Sequence, residues 1–440
     1  MRAGIARDAP DVHFARGFTL ISDLDGTLLP APFSNGLGHV VHPPLSAGPA
    51  FAPLVELLRA GATVVAVTGS QFGTHRARFF DVIPRELRAS GRVLLAVESG
   101  ARLFRGCERS GEPIEDDEFQ RAAFGGRRPT LEPALVDELV ALGRRGLRRF
   151  YADLLTRGPA LLDGLVDDAH VRAVVLDAAA AGASSDAPVS LSQDVVPRVE
   201  VREHGAAVVF VGVPSSLGSR YFGLAPARLA ALVDARPTGR LCFDCVPVGV
   251  GKAAVVRFLL ERGVVVPGRA LCLGDRPLGN DEGLAQWARP GAWRELPADA
   301  RACVGDAERK AGAGACGPQA CGPVPFISVA ESVALVPPFL RPYHASGNAH
   351  GSAAVLWALG ARLAAAHAAG AAAGALCGAR ASEIAAEVRA ARGSYDGACT
   401  PAAPTPTRAP LRGALALARR ALLVVALAAA VSVATVRAEA

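Results

Sequence analysis

The sequence predicts an α/β protein with a doubly wound parallel sheet as its core, an inserted α+β module and a helical C-terminal tail. Three short apolar runs, at 18–22, 62–67 and 269–273, predict buried strands, and polar residues follow each of them. Residues 54–59 and 253–261 have the apolar spacing of helices. Strands that alternate with helices indicate a parallel sheet covered on both faces, with its ligand site beyond the carboxyl ends of the strands.

The middle of the chain differs in character from these segments. It holds a charged stretch at 112–118, helical spacing at 135–155 and an alternating pair of strands at 199–213, with a turn near His204-Gly205. These features predict a module with a sheet of its own. It is expected between two parts of the parallel core.

The predicted boundaries follow from these changes in character. The first part of the core covers 14–105, the inserted module 106–237 and the second part of the core 238–336. An Ala-rich and Pro-rich tail is expected at 337–440, because that stretch carries no further strand signal.

The tail contains a predicted helix at 353–379 and a Pro-containing linker at 399–412. Residues 421–436 lack charges and have arginines on both sides. As a helix this segment spans about 24 Å, somewhat less than the ~30 Å hydrocarbon core of a bilayer. Two interpretations stay open: a C-terminal membrane anchor, and an amphipathic or loosely ordered terminal helix.

Charge and cysteine content limit the function classes. The net charge of +6 comes almost entirely from scattered arginines, which is not the basic patch typical of nucleic-acid binding. Nine cysteines without regular spacing form no disulfide framework, and the first 20 residues lack the apolar stretch of a secretory signal. We therefore expect a cytoplasmic catalytic domain, with possible membrane tethering through the tail.

Two cysteine pairs have a spacing that could form a site. Cys242 and Cys245 lie in a predicted strand, where residues three apart point to opposite faces. Cys316 and Cys321 lie in a Gly/Pro loop without a second ligand pair at zinc spacing, so no role is assigned to them.

The predicted strand ends carry the candidate chemistry. Asp23 and Asp25 follow the first strand, and each raises the pKa of the other unless a cation intervenes. Mg²⁺ prefers hard oxygen ligands, and Asp275, after the third strand, can supply a further carboxylate. The sequence therefore predicts a magnesium site at this edge of the sheet.

Four segments resemble, in order, the motifs of the haloacid dehalogenase superfamily: 23–27 (DLDGT), Thr68-Gly69, Lys252, and 274–281 (GDRPLGND). The resemblance covers roughly residues 18–105 and 238–335. It implies a Rossmann-like core with a cap domain. Two further segments, 97–101 (VESGA) and 247–252 (PVGVGK), are similar to the capped sugar-phosphatase branch, which includes sucrose-phosphatase-like enzymes and phosphomannomutases.

The resemblance implies a role for each motif residue. Asp23 is the expected nucleophile, which becomes a phospho-aspartate, and Asp25 the acid and then the base. Thr68 is expected to hydrogen-bond a transferring oxygen, and Lys252 to neutralise charge between Asp23 and the phosphoryl group. The expected Mg²⁺ ligands are Asp23, the main-chain carbonyl of Asp25, Asp275 and Asp281. The expected phosphate-binding and supporting residues are Gly26, Thr27, Gly69, Ser70 and Asn280.

Two residues sharpen this interpretation. Only Lys252 and Lys310 are lysines among 47 basic residues, and an ammonium fits between two oxyanions where a guanidinium does not. The acid at Asp25 favours phosphate esters, since superfamily members that cleave carbon–halogen bonds do not need it.

Three departures keep the substrate open. The aspartates of the fourth motif, Asp275 and Asp281, are six positions apart, two more than in the sucrose-phosphatase-like pattern. Ser70 stands where many sugar phosphatases carry Arg, and Ser99 where Asn is usual. In the inserted module, sugar-facing candidates are Arg202, His204 and Arg220, although an exposed turn residue is the favoured interpretation of His204.

Three functions are compatible with the sequence. The first is a phosphatase for a small phosphorylated metabolite, which is expected to be a sugar phosphate. The second is a phosphomannomutase-like mutase, which transfers the phosphoryl group to another sugar. The third is a non-catalytic module that binds a phosphorylated ligand and is tethered to a membrane.

Overall fold

The computed structural model describes residues 15, 17–30, 33–34, 40–165, 169–180, 198–202, 205–223, 227–238, 241–289, 291–295, 324–331, 333, 336–368 and 378–396. The predicted linker, the uncharged segment 421–436, His204, Cys316 and Cys321 lie outside these residues.

Thirteen strands are defined among the described residues. They are β1 Thr19–Asp23, β2 Phe33–Ser34, β3 Val40–Val41, β4 Thr63–Val67, β5 Val93–Val97, β6 Arg102–Gly106, β7 Pro113–Glu115, β8 Arg198–Val201, β9 Val208–Val211, β10 Val233–Pro237, β11 Cys242–Pro247, β12 Ala270–Gly274 and β13 Phe326–Ser328.

Twelve α-helices accompany these strands in the described ranges. They are α1 Phe51–Arg59, α2 Phe72–His75, α3 Arg85–Ala89, α4 Asp117–Phe124, α5 Pro133–Arg157, α6 Ala169–Ala180, α7 Gly218–Phe222, α8 Ala227–Leu232, α9 Lys252–Glu261, α10 Glu282–Ala285, α11 Asn348–Ala368 and α12 Gly378–Asp396.

The main sheet has seven strands in the order β13-β12-β1-β4-β5-β6-β7. The five strands from β13 to β5 are parallel, and β6 and β7 add an antiparallel edge. All residues of β1, β5 and β12 are buried, as strands covered on both faces must be. The predicted α/β class is confirmed, and the three predicted apolar strands correspond to β1, β4 and β12.

A second sheet is antiparallel, with the order β10-β11-β9-β8. The predicted strand pair of the inserted module corresponds to β8 and β9, and the predicted helix to α5. One face of this sheet packs on α5: Phe210, Phe243 and Cys245 share a core with Phe150. Cys242 packs with the opposite side, as predicted for residues three apart in a strand.

Strand pairing continues past both predicted boundaries of the inserted module. β6 and β7 extend the main sheet to Glu115, beyond the boundary at 105. β11 pairs with β9 and β10, so the second sheet extends past 237 to Pro247. The physical reason is that an apolar run predicts a strand but not the neighbour with which that strand pairs. It therefore does not specify the sheet that the strand joins.

The predicted tail needs a correction in its described part. α11 packs on α1, and Val355, Leu356 and Leu359 are buried with Leu57 in the core of the main sheet. α11 starts at Asn348 and ends at Ala368, whereas a helix was predicted over 353–379; residues 369–377 are outside the described ranges. Residues 348–368 therefore belong to the folded core.

Membrane association stays a prediction. None of the helices in the described ranges combines the length and the hydrophobicity needed to cross a bilayer.

Candidate active site

The fold brings the predicted motif residues to one edge of the main sheet. Asp23 ends β1, Thr68 follows β4 and Asp275 follows β12. β1 pairs in parallel with both β4 and β12, so the three carboxyl ends are neighbours. Lys252 opens α9 and completes the group. This edge is where ligands bind in open parallel sheets.

A buried cluster of opposite charges lies at the centre of this edge. The Lys252 ammonium donates hydrogen bonds to Asp23 Oδ1 and, at 2.7 Å, to Asp281 Oδ1. Asp281 Oδ2 also accepts a hydrogen bond from the Arg276 amide at 2.9 Å. Burial opposes the charge on Lys252, but the two carboxylates outweigh it and raise the pKa of the ammonium. The lysine is therefore held charged between two buried anions.

Asp275 adds a third carboxylate. Oxygens of Asp23, Asp275 and Asp281 all lie within 4.8 Å of one another. The Thr27 hydroxyl lies 3.3 Å from Asp23 Oδ2 and 3.5 Å from Asp275 Oδ1. Burial and the charge of Asp281 raise the pKa of Asp275 to about 7, and they raise the pKa of Asp23 well above its usual range against the opposing charge of Lys252.

This acidic cluster can hold a divalent metal. Three carboxylates face one ammonium, so the anions exceed the cations in a buried space. A divalent cation with hard-oxygen preference relieves that excess, and carboxylate oxygens are the ligands it takes. The residues present therefore fit Mg²⁺.

Two glycines allow these carboxylates to converge. A Cβ at Gly26, whose φ is +82°, would lie 2.7 Å from Asp275 Oδ2. A Cβ at Gly274 would lie 2.5 Å from Asp281 Oδ2. Any larger residue at either position would push a carboxylate out of the cluster.

Asp25 points to a different group of partners. Its Oδ2 lies 3.0 Å from His75 Nε2 and 3.4 Å from the Thr68 hydroxyl, and its Oδ1 accepts a hydrogen bond from Arg78 at 3.2 Å. Desolvation by the surrounding protein atoms would by itself raise the pKa of Asp25. The hydrogen bonds and charges of His75 and Arg78 outweigh this effect and hold the pKa well below its usual range. With 42% of its side chain exposed, this carboxylate faces the open side of the site.

The loop after β4 is fixed by a strained turn. The Ser70 amide donates to the Thr68 hydroxyl at 3.1 Å. The amides of Glu98 and Ser99 donate to the carbonyls of Ser70 and Thr68, both at 2.9 Å. Glu98 and Ser99 have φ values of +53° and +59°, a conformation that costs energy for residues other than glycine. The strain places the Ser99 side chain beside Gly69.

Not all predicted residues join the cluster. Asn280 is half-buried, and its side chain makes no hydrogen bond to a described residue. Arg202 is bound to Glu200 on the second sheet, and Arg220 forms an exposed ion pair with Asp153 at 3.1 Å. Arg220 therefore lies on the helical side of the second sheet, away from the carboxylates.

The sequence interpretation missed three residues at the site. His75 and Arg78 follow the Thr68 loop at helical spacing, with Arg78 in a π-helical turn over Arg76–Phe80, a geometry common at functional sites. Asp244 is a buried carboxylate on β11. Its signal in the sequence is a lone charge in an apolar strand, which costs energy unless it has a purpose.

Comparisons with known proteins give remote structural likenesses alone. No protein-family model and no curated protein matches the sequence. The structure is similar to SMU.1108c from Streptococcus mutans, at 12% identity over 65% of this chain and 91% of that one (TM-score 0.34). It is also similar to an IMP-bound, N-terminally truncated IMP-nucleotidase from Plasmodium falciparum, at 12% identity over 66% and 68% (TM-score 0.35).

A third similar structure is yhjK from Bacillus subtilis, described as a haloacid dehalogenase-like hydrolase, at 13% identity over 62% of this chain and 79% of that one (TM-score 0.28). At TM-scores below 0.5 these similarities carry no information about the candidate site. The function of the protein is therefore inferred from the geometry and chemistry of the site itself.

Proposed function

We propose that the protein is a Mg²⁺-dependent phosphatase that hydrolyses a small-molecule phosphate monoester, a sugar phosphate, through a phospho-aspartate at Asp23. The observation that carries the proposal is the buried Lys252 ammonium between Asp23 and Asp281, with Asp275 beside them. A nucleophilic carboxylate can approach a phosphoryl anion when fixed cations offset the repulsion between them.

The first step forms a bond between the Asp23 carboxylate and phosphorus and breaks the ester P–O bond. The leaving oxygen takes a proton from Asp25. Asp25 takes up this proton from the monoanionic ester or from solvent as the ester binds, because the approaching phosphoryl anion raises the pKa of Asp25 against the lowering effect of His75 and Arg78. In the second step Asp25 takes a proton from water, which attacks phosphorus and releases phosphate and free Asp23.

The other motif residues receive supporting roles. Thr68 and the loop residues Gly69 and Ser70 would contact phosphoryl oxygens, together with Gly26 and Thr27 after β1. Asp23, Asp275, Asp281 and the Asp25 carbonyl would hold Mg²⁺, which supplies charge neutralisation and orientation when bound. Asn280 is assigned to the rim of the site.

Phosphate release from p-nitrophenyl phosphate and a panel of hexose phosphates tests the proposal. The full chain should release phosphate with Mg²⁺ and lose this activity with EDTA. Asp23→Asn should abolish release, whereas Asp163→Asn, the same change at an exposed carboxylate, should leave it unchanged. Equal activity in wild type and Asp23→Asn, or no activity of the wild type on the whole panel, contradicts the proposal.

The same assay separates hydrolysis from mutase chemistry. A mutase returns the phosphate in an isomeric sugar phosphate and depends on a sugar bisphosphate activator. Free phosphate without any activator is the outcome that the phosphatase proposal requires.

A further inference from the structure

We infer that the second sheet carries a hydroxyl-recognising subsite for the leaving group, in which Asp244 is the specificity-determining residue. The inference rests on the proposed phosphatase function and names its substrate class: a phosphate ester of a polyhydroxylated alcohol.

The second sheet turns one face toward the active site. Along β11, Phe243 and Cys245 belong to the core beneath α5. Val246 belongs to a separate cluster with Ala101, which follows the strained turn of the main-sheet part. Side chains alternate along a strand, so Asp244 shares the face of Val246. A carboxylate is thus placed on the face that meets the catalytic edge.

Asp244 reaches the loop of the catalytic site. A Cβ at Gly69 would lie 3.8 Å from Asp244 Oδ2 and 3.5 Å from the Ser99 hydroxyl. Asp244, from the second sheet, and Ser99, from the turn after β5, therefore converge over one glycine of the loop after β4. Gly69 has no side chain between these two polar groups.

The position of Asp244 is on the leaving-group side. Thr68, the residue before Gly69, has its hydroxyl 3.4 Å from the Asp25 carboxylate. Asp25 is the group proposed to protonate the leaving oxygen, so the alcohol must pass beside Thr68 and Gly69. Asp244 and Ser99 then face the carbon skeleton and its hydroxyls.

The Asp244 carboxylate is buried, and one of its two oxygens is hydrogen-bonded. Its Oδ1 accepts a hydrogen bond from the Thr238 hydroxyl at 2.7 Å, whereas no described residue donates to Oδ2. Arg236 lies opposite it across the β10–β11 pair but donates to the Val250 carbonyl at 2.7 Å. Burial raises the pKa of Asp244 against the opposing influence of Thr238, Arg202 and Arg236. A ligand hydroxyl that donates to Oδ2 would offset that cost of burial.

The test compares two leaving groups in one protein. The wild type and Asp244→Asn are assayed on the best hexose phosphate of the panel and on p-nitrophenyl phosphate, whose leaving group has no further hydroxyl. We expect kcat/KM for the hexose phosphate to fall by about 10- to 100-fold, as for loss of a hydrogen bond to a charged group. The value for p-nitrophenyl phosphate should change by less than about threefold, since phosphoryl transfer itself is untouched. Asp163→Asn serves as the matched control.

Inhibition provides a second readout that does not depend on turnover of the sugar ester. The free hexose should compete with p-nitrophenyl phosphate in the wild type, and its inhibition constant should rise at least about tenfold in Asp244→Asn. An equal loss on both substrates, or no loss on either, overturns the inference. Failure of the wild type to release phosphate from any ester of the panel would instead refute the proposed function.

Discussion

Lys252 has the most constrained environment of the residues at the site. Its ammonium joins two carboxylates that belong to distant parts of the chain, and all three side chains are almost fully buried. Removal of the charge leaves two anions uncompensated in a low-dielectric space, which is strongly destabilising. This position is therefore expected to affect both the stability of the protein and the proposed activity.

Replacement of Lys252 by Met is expected to abolish phosphate release and to lower the free energy of unfolding by about 3–5 kcal/mol. Urea unfolding and the phosphate-release assay measure the two effects. Arg257→Met, an exposed position on the same helix, should change stability by less than about 0.5 kcal/mol. A stable and active Lys252→Met protein would show that the cluster is not the catalytic centre.

Arg78 is expected to position Asp25 for proton transfer. Arg78→Met removes the hydrogen bond to Asp25 Oδ1, so Asp25 should protonate a poor leaving group less efficiently. Because 4-nitrophenolate leaves without a proton, its release should depend less on Asp25. The expected loss in kcat is about tenfold or more for the hexose phosphate and smaller for p-nitrophenyl phosphate.

Arg76→Met is the matched control for this prediction. Arg76 lies two residues before Arg78 but forms ion pairs with Asp81 and Glu112 at the surface. The Arg76→Met change should leave both rates unchanged. Equal losses on the two substrates in Arg78→Met would argue that Arg78 supports the fold rather than Asp25.

At the scale of elements, the apolar runs predicted where strands lie in the sequence, but they did not predict which strands pair with one another. β1, β4 and β12 are continuous apolar runs in the centre of a sheet, where burial on both faces specifies the residue type. β11 has the same apolar appearance but joins the second sheet, because pairing depends on which neighbours the folded chain provides.

α11 lies in the stretch predicted as a tail because 337–440 carries no further strand signal. Small side chains permit close packing on α1, and a few larger residues supply the buried contacts. Leu359 is fully buried, so Leu359→Ala should lower the free energy of unfolding by about 2–5 kcal/mol in urea titrations. His367→Ala, exposed on the same helix, should have little effect. Unchanged stability in Leu359→Ala would show that α11 does not contribute to the core and belongs to the tail.

At the scale of the whole molecule, the sequence predicted that the motif residues share one edge of the main sheet, but it did not predict the other side chains that lie there. Asp23, Thr68 and Asp275 could be placed together because parallel strands end at a common edge. His75 and Arg78 act through tertiary contacts that no local pattern records. Asp244 arrives from another sheet, and only the assembled chain brings it within reach of Gly69.

Metal binding should stabilise the assembled protein. A cation held by Asp23, Asp275 and Asp281 joins residues from both parts of the main sheet and binds the folded state alone. Millimolar Mg²⁺ should therefore raise Tm, and EDTA should reverse the gain. Asp275→Asn should reduce the Mg²⁺-dependent shift, whereas Asp163→Asn should preserve it. An identical shift in both variants would place the metal elsewhere.

Covalent trapping tests the central claim most directly. Full-length protein is mixed with its best phosphate ester and Mg²⁺, quenched in acid within the first turnover and digested for mass spectrometry. We predict a phosphoryl group on the peptide that contains Asp23, absent in Asp23→Asn and present in Asp163→Asn. Phosphate release by the wild type without that adduct, or with an adduct that persists in Asp23→Asn, would contradict the assignment of Asp23 as the nucleophile.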